Sequence, residues 1–179
     1  MNALPFRLEP MIHAGALKKL LAPAPAMRRE RLDVGAAMGA GVFAGTLFLM
    51  MMLAFSAAIY GEPPTVLLRM IAATVRGPAA LSAGGQDDAA LAALGLTLHY
   101  AFAVLYALAL VGVMVECRRA LAPWLGLAFG AFLYGTNMHG FTVLFPWFAD
   151  LRTLDTFLAH LVFGFLLSQS YWSFAGTPD

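Results

Sequence analysis

Four apolar runs constrain this chain more than anything else in it: about 34–60, 89–115, 121–145 and 156–172. A helix needs about 20 predominantly apolar residues to cross the hydrocarbon core of a bilayer, and each run reaches or approaches that length. Within lipid the backbone has no water to bond to, so runs of this kind close their hydrogen bonds internally as helices. The expected fold is all-α, a four-transmembrane-helix bundle. Composition agrees, with 61% hydrophobic and only 12% charged residues, against roughly 45–50% and about 25% in soluble domains. The lipid bilayer is therefore the expected partner, and a net charge of +1 offers nothing to nucleic acid. The lone Cys117 excludes an intrachain disulfide framework, and its place beside Arg118 and Arg119 suggests a reducing, cytoplasmic side.

The segments between the runs complete the layout. Residues 1–33 form a basic arm in which 10–21 has the pattern of a short amphipathic turn, and His13 there has no expected role. The transmembrane domain covers 34–174, and 175–179 is a short tail. The first run is too long for a secretory h-region of about 7–15 residues, so an uncleaved helix is expected. Gly61-Glu62-Pro63-Pro64 ends it, and residues 65–75 then read as an interfacial helix in the first outer loop, too short to cross. Asp87 or Asp88 is the expected cap of the second run and Asp155 that of the fourth. Pro123 falls in the first turn of the third run and Pro146 closes it.

Basic residues orient the bundle. Arg7, Lys18, Lys19, Arg28, Arg29, Arg31, Arg118 and Arg119 fall on one side, and Arg69, Arg76 and Arg152 on the other. By the positive-inside rule both termini are cytoplasmic. Trp124 and Trp172 then mark the inner interface and Trp147 the outer one.

The informative residues are His99, His139 and His160, one in each of the last three runs. Counted from the outer ends at 1.5 Å per residue, all three fall roughly 8–10 Å below the outer boundary. Helical steps from His99 lead to Ala103 and Tyr106, from His139 back to Gly135, Phe132 and Ala128, and from His160 on to Gly164, Leu167 and Tyr171. Small and hydroxyl-bearing neighbours of this kind suit a helix–helix interface. Tyr106, Tyr134, Thr136 and Asn137 add polar groups, and Met50, Met51 and Met52 lie at a similar depth.

An ionisable residue inside a membrane marks a functional site by default. Three readings follow. Neutral imidazoles can tie helices together by hydrogen bonds. His99, His139 and His160 can form a metal set, matching a zinc site, with the methionines favouring copper. Or they form a proton-responsive or haem-ligating cluster. No cofactor is named by these residues alone. Gly35/Gly39 and Gly41/Gly45 in the first run, and Gly126/Gly130 in the third, have the spacing of close helix packing, and self-association through these faces is a further expectation. No phosphate loop, nucleophile triad or paired intramembrane carboxylate appears, so the chain reads as non-enzymatic.

The stretches Leu98–Leu110 (LHYAFAVLYALAL), Gly126–Phe148 (GLAFGAFLYGTNMHGFTVLFPWF) and Ala159–Leu166 (AHLVFGFL), with weaker support from Gly41–Gly45 and Arg69–Ala73, resemble the YagU-like small bacterial inner-membrane proteins. Related members of that group are often labelled sodium:proline symporters. The resemblance covers about 35–172 and implies a multi-pass inner-membrane location and four helices, without a settled activity. The symporter label fits poorly with four passes and no internal inverted repeat, the framework on which secondary transporters build their sites.

Overall fold

The computed structural model describes residues 32–82 and 88–176. The basic arm with its amphipathic turn and His13, the Asp87 cap and the last residues of the tail lie outside the described residues. Among those described, every regular element is helical.

Helix α1 is Val34–Tyr60. Its run holds no proline, its N-terminus is capped by Asp33, which accepts from the Ala36 N–H at 2.9 Å, and Gly61 ends it at φ 67°. That left-handed conformation costs a glycine little and other residues more. Helix α2, Pro64–Arg76, starts on a proline and stops at Gly77, φ 82°. It coincides with the expected interfacial segment and buries one edge, Leu67, Ala72 and Ala73. A short 3-10 turn, Pro78–Leu81, follows. Helix α3 is Asp88–Met114. Asp88 opens it and accepts from Arg69 at 3.1 Å, clipping α2 to the start of α3.

The third run departs from expectation. Helix α4, Ala122–Gly135, passes into a π-helical turn, Thr136–Gly140, and then a 3-10 turn, Phe141–Val143. The α-helix therefore stops well short of Phe145. The cause is competition for carbonyls. The Thr142 hydroxyl donates to the Met138 and His139 carbonyl oxygens, and Arg152 Nε donates to Met138 O at 2.6 Å. A further 3-10 stretch, Pro146–Leu151, leads to α5, Leu154–Phe174. The cap of α5 is Thr153, which accepts from the Thr156 N–H, and not Asp155. Asp155 sits in the first turn and accepts from the Tyr60 hydroxyl at 3.0 Å.

Of these helices, α1 and α3 are long and apolar enough to cross a membrane. Helix α4 is too short by itself, and α5, though long enough, is diluted by Thr156, His160, Ser168, Gln169 and Ser170.

Packing follows an arc: α4 lies on α5, α5 on α1, and α1 on α3, while α3 and α4 barely touch. Small residues make the seams. A Cβ on Gly126 would overlap the Gly164 carbonyl oxygen, and one on Gly130 would overlap that of His160. A Cβ on Gly41 would lie 2.9 Å from Ala107 Cβ, and one on Gly45 would lie 2.8 Å from Ala103 Cβ. Gly95, which the sequence pattern did not single out, admits the Leu68 carbonyl of α2. Two of the expected packing glycines do not take part. Gly35 meets only Asp33, and Gly39 only the ring of Phe174. The Gly41/Gly45 and Gly126/Gly130 faces are thus occupied by neighbouring helices of the same chain.

Side-chain ties at both ends show the helices alternating in direction. At one end Tyr171 Oη lies 3.3 Å from the Asp33 backbone N–H, which donates to it, and Arg119 sits over Trp172 at 5.1 Å. At the other Tyr60 reaches Asp155, and Trp147 donates its indole N–H to Met70 O at 3.0 Å. Trp124 is exposed, as an interface marker would be, whereas Trp172 is buried.

Candidate functional site

Phe48, near the middle of α1, lies between two of the imidazoles. The His99 ring stacks on it with centroids 6.0 Å apart, and His160 meets it edge-on at 4.9 Å. Tyr134 then stands between His160 and His139, 5.7 Å from each. Ring contacts thus link the three imidazoles in series, while His99 sits farther from the start of its helix than the sequence count implies. His99 is roughly 16 Å from the start of α3, and His160 roughly 9 Å from the start of α5.

The surroundings of the three histidines differ. His160 is 3% exposed, and its stripe of Gly164, Leu167 and Tyr171 is buried throughout. His99 is half-buried above a buried Ala103. His139, contrary to expectation, is exposed, as are Phe132 and Ala128 on the same stripe. The inward face of α4 is instead the Gly126, Gly130 and Leu133 side.

Hydrogen bonds assign the tautomers. His160 Nδ1 lies 2.8 Å from the Thr156 carbonyl oxygen, which can only accept, so Nδ1 carries the proton. In the neutral ring Nε2 then accepts, and the Asn137 amide N–H donates to it at 3.3 Å. That turns the Asn137 carbonyl oxygen toward Tyr106, whose hydroxyl donates to it at 2.9 Å. A one-way chain results: Tyr106 to Asn137, Asn137 to His160, His160 to the α5 backbone. His99 Nε2 donates to Gly45 O at 2.9 Å, tying α3 to α1.

A metal set of His99, His139 and His160 is not assembled. Among the described residues no three His, Cys, Asp or Glu side chains come close enough to hold an ion. The physical reason is the Phe48 and Tyr134 rings between the imidazoles, together with the engagement of both His160 nitrogens.

Beside this chain, in the gap between α3 and α4, lies a cavity of about 320 Å³. Its walls are mostly aromatic and aliphatic, and its polar lining is His99, Tyr106, Asn137, Thr156, His160 and Thr74. Met52 of the methionine run contributes to it, while Met50 faces outward.

Arg152 was legible only as a charge outside the membrane. In the structure it reaches back to Met138 O and to the Thr142 hydroxyl, satisfying a carbonyl where the π turn gives way. A cation at this position also complements the partial negative charge of a helix C-terminus. Arg152→Ala is expected to cost about 1–2 kcal/mol, and to raise hydrogen exchange over residues 138–145 selectively. Uniform exchange in the variant would show that Arg152 does not brace this segment.

Compared with protein-family models, curated proteins and solved structures, the chain matches none.

Proposed function

We propose that this chain is an integral membrane protein that crosses the bilayer four times, non-enzymatic and of structural or accessory kind. The observation that carries the reading is an exterior as apolar as the core. Large apolar side chains face outward, including Met50 at 60%, Leu105 at 57% and Phe132 at 63% exposure, while alanines, serines, Thr156 and His160 are buried. A continuous apolar exterior is what lipid wets and water does not. Only 22% of the most apolar window of α1, and the same share in α3, is covered by the rest of the chain. The core helix of a soluble domain would be covered on most sides. A cleaved leader fits α1 no better, because Ala37, Ala40 and Ala44 lie fully buried against its neighbours.

Packing supports the two remaining passes. Helix α5 is tied to α1 at both ends, Tyr171 to Asp33 and Asp155 to Tyr60. Whatever depth α1 crosses, α5 crosses beside it, and α4 with its π and 3-10 extension lies along α5. The histidines serve as ties between passes: His99 to the α1 backbone, and His160 through Asn137 to Tyr106. The bacterial inner membrane, with the segments before α1 and after α5 cytoplasmic, and kinship with the YagU-like group complete the proposal. The sodium:proline symporter label draws no support from the cavity. Its lining holds no charged side chain, and a zwitterion with a sodium ion would be desolvated there without a counter-charge.

Cysteine labelling tests the four-pass arrangement. Cys117, in the α3–α4 connection, should resist a membrane-impermeant maleimide in intact cells and react once they are permeabilised. A Glu62→Cys variant in a Cys117→Ser background should react in intact cells. Labelling of both positions from the same side would refute the alternation of passes.

A further inference from the structure

We infer that the cavity between α3 and α4 is a binding site for a neutral, membrane-soluble ring compound bearing a carbonyl or hydroxyl oxygen, of the kind a quinone head group presents. The inference goes beyond the membrane assignment and stands or falls in detergent, whatever the topology.

Size comes first. At about 320 Å³ the cavity is within the range of small-molecule pockets, roughly 300–1,000 Å³, and far above what a single water needs. Its walls come next. Phe48, Phe102 and Phe163 line it from α1, α3 and α5, and Phe141, Phe145 and Phe148 from the segment between α4 and α5, and aromatic walls favour a flat ring by edge and face contacts. Charge excludes ions: the lining has no Asp, Glu, Lys or Arg, and His160 is neutral by its hydrogen bonds. A charged ligand would lose its hydration with no compensation.

The polar groups then select an oxygen. In the chain from Tyr106 to Thr156, each donor already used is matched to an acceptor. Left without a protein acceptor among the described residues are the second Asn137 amide N–H and the Thr156 hydroxyl hydrogen. Left without a protein donor among the described residues are the lone pairs of Tyr106 Oη and His99 Nδ1. A neutral oxygen satisfies the first pair as a carbonyl and either pair as a hydroxyl. A plain hydrocarbon satisfies neither.

Access is lateral. Helices α3 and α4 barely pack on one another, and across the gap the only hydrogen bond described is Tyr106 to Asn137. Phe102 is partly exposed at this edge. A lipophilic ring arriving from the bilayer passes between them without entering water.

The test uses the purified full chain in detergent, decylubiquinone as probe and decylbenzene as the oxygen-free comparator. Trp147 is a built-in reporter, with its ring 5.4 Å from Phe145 and 6.1 Å from Phe148, both in the cavity wall. Decylubiquinone should quench fluorescence saturably, and that component should vanish in Trp147→Phe. Decylbenzene should compete about tenfold more weakly, the worth of one hydrogen bond. Asn137→Leu should weaken the quinone by a similar factor. Ile71→Phe, which adds bulk from the α2 side without touching the polar chain, should reduce occupancy and keeps the test decisive if Asn137→Leu misfolds. Quenching that never saturates, equal competition by decylbenzene, or indifference to Ile71→Phe would each overturn the assignment.

Discussion

Gly164→Ala is expected to be among the most destabilising single-methyl additions in this protein, costing about 2–3 kcal/mol. Its Cβ would overlap the Gly126 carbonyl oxygen and lie 2.8 Å from Gly130 N and 3.0 Å from Gly130 Cα. All three obstacles are backbone, so no rotamer change relieves them, and α4 would have to move off α5. That seam is the most extensive helix pair in the fold and carries the π turn with Asn137. Apolar chains gain nothing from leaving lipid for a neighbouring helix, so close backbone packing is a main source of association. A matched control is Gly112→Ala, where the added Cβ meets nothing within 4 Å. It should be neutral or stabilising by up to about 1 kcal/mol through helix propensity. Denaturation in mixed micelles would measure both, and similar stabilities for the two variants would contradict the packing described.

The second large effect is expected at His160. Replacing it by alanine removes the acceptor for Asn137 and the donor to Thr156 O, together with edge contacts to Phe48 and Tyr134. A ring-sized void opens beside an existing cavity, so the cost should be about 3 kcal/mol. His99→Ala loses one hydrogen bond and one stacking partner and should cost about 1–2 kcal/mol. His139→Ala, on the exposed side with a single ring contact to Tyr134, should stay within about 0.5 kcal/mol of the parent. That ordering separates ties from ligands, because a shared metal would make the three substitutions equivalent. Equal losses at all three positions, or an unchanged stability at His160 with a metal-linked phenotype lost, would reject the tie.

The three histidines show how far counting along helices reaches. Residue number and rise per residue place imidazoles from separate runs near one another, and ring contacts through Phe48 and Tyr134 link them in series. The same counting misjudges the depth of His99, which lies eleven residues into α3, roughly 16 Å from its start. It also misassigns His139. Phe132 and Ala128, on the same stripe within regular α4, are exposed as well, so the period is right and the choice of inward face is not. Arg152 is a lesson of another kind: a charge counted for topology folds back as a cap, which depends on a loop path that periodicity does not describe.

What the amino-acid order determined alone is local. Unbroken apolar runs, an aspartate at position 33, glycines at 61 and 77 and prolines at 64 and 123 fix where α1, α2 and α4 begin and where α1 and α2 end, since each acts within one or two helical turns. An all-helical chain with apolar exteriors follows from those alone. Which glycines meet a partner, which histidine turns inward, and that α3 and α4 part to leave a cavity were decided only in three dimensions. Rotation of each helix about its axis is set by the smallest residues on two helices at once, and no single stretch of sequence contains both.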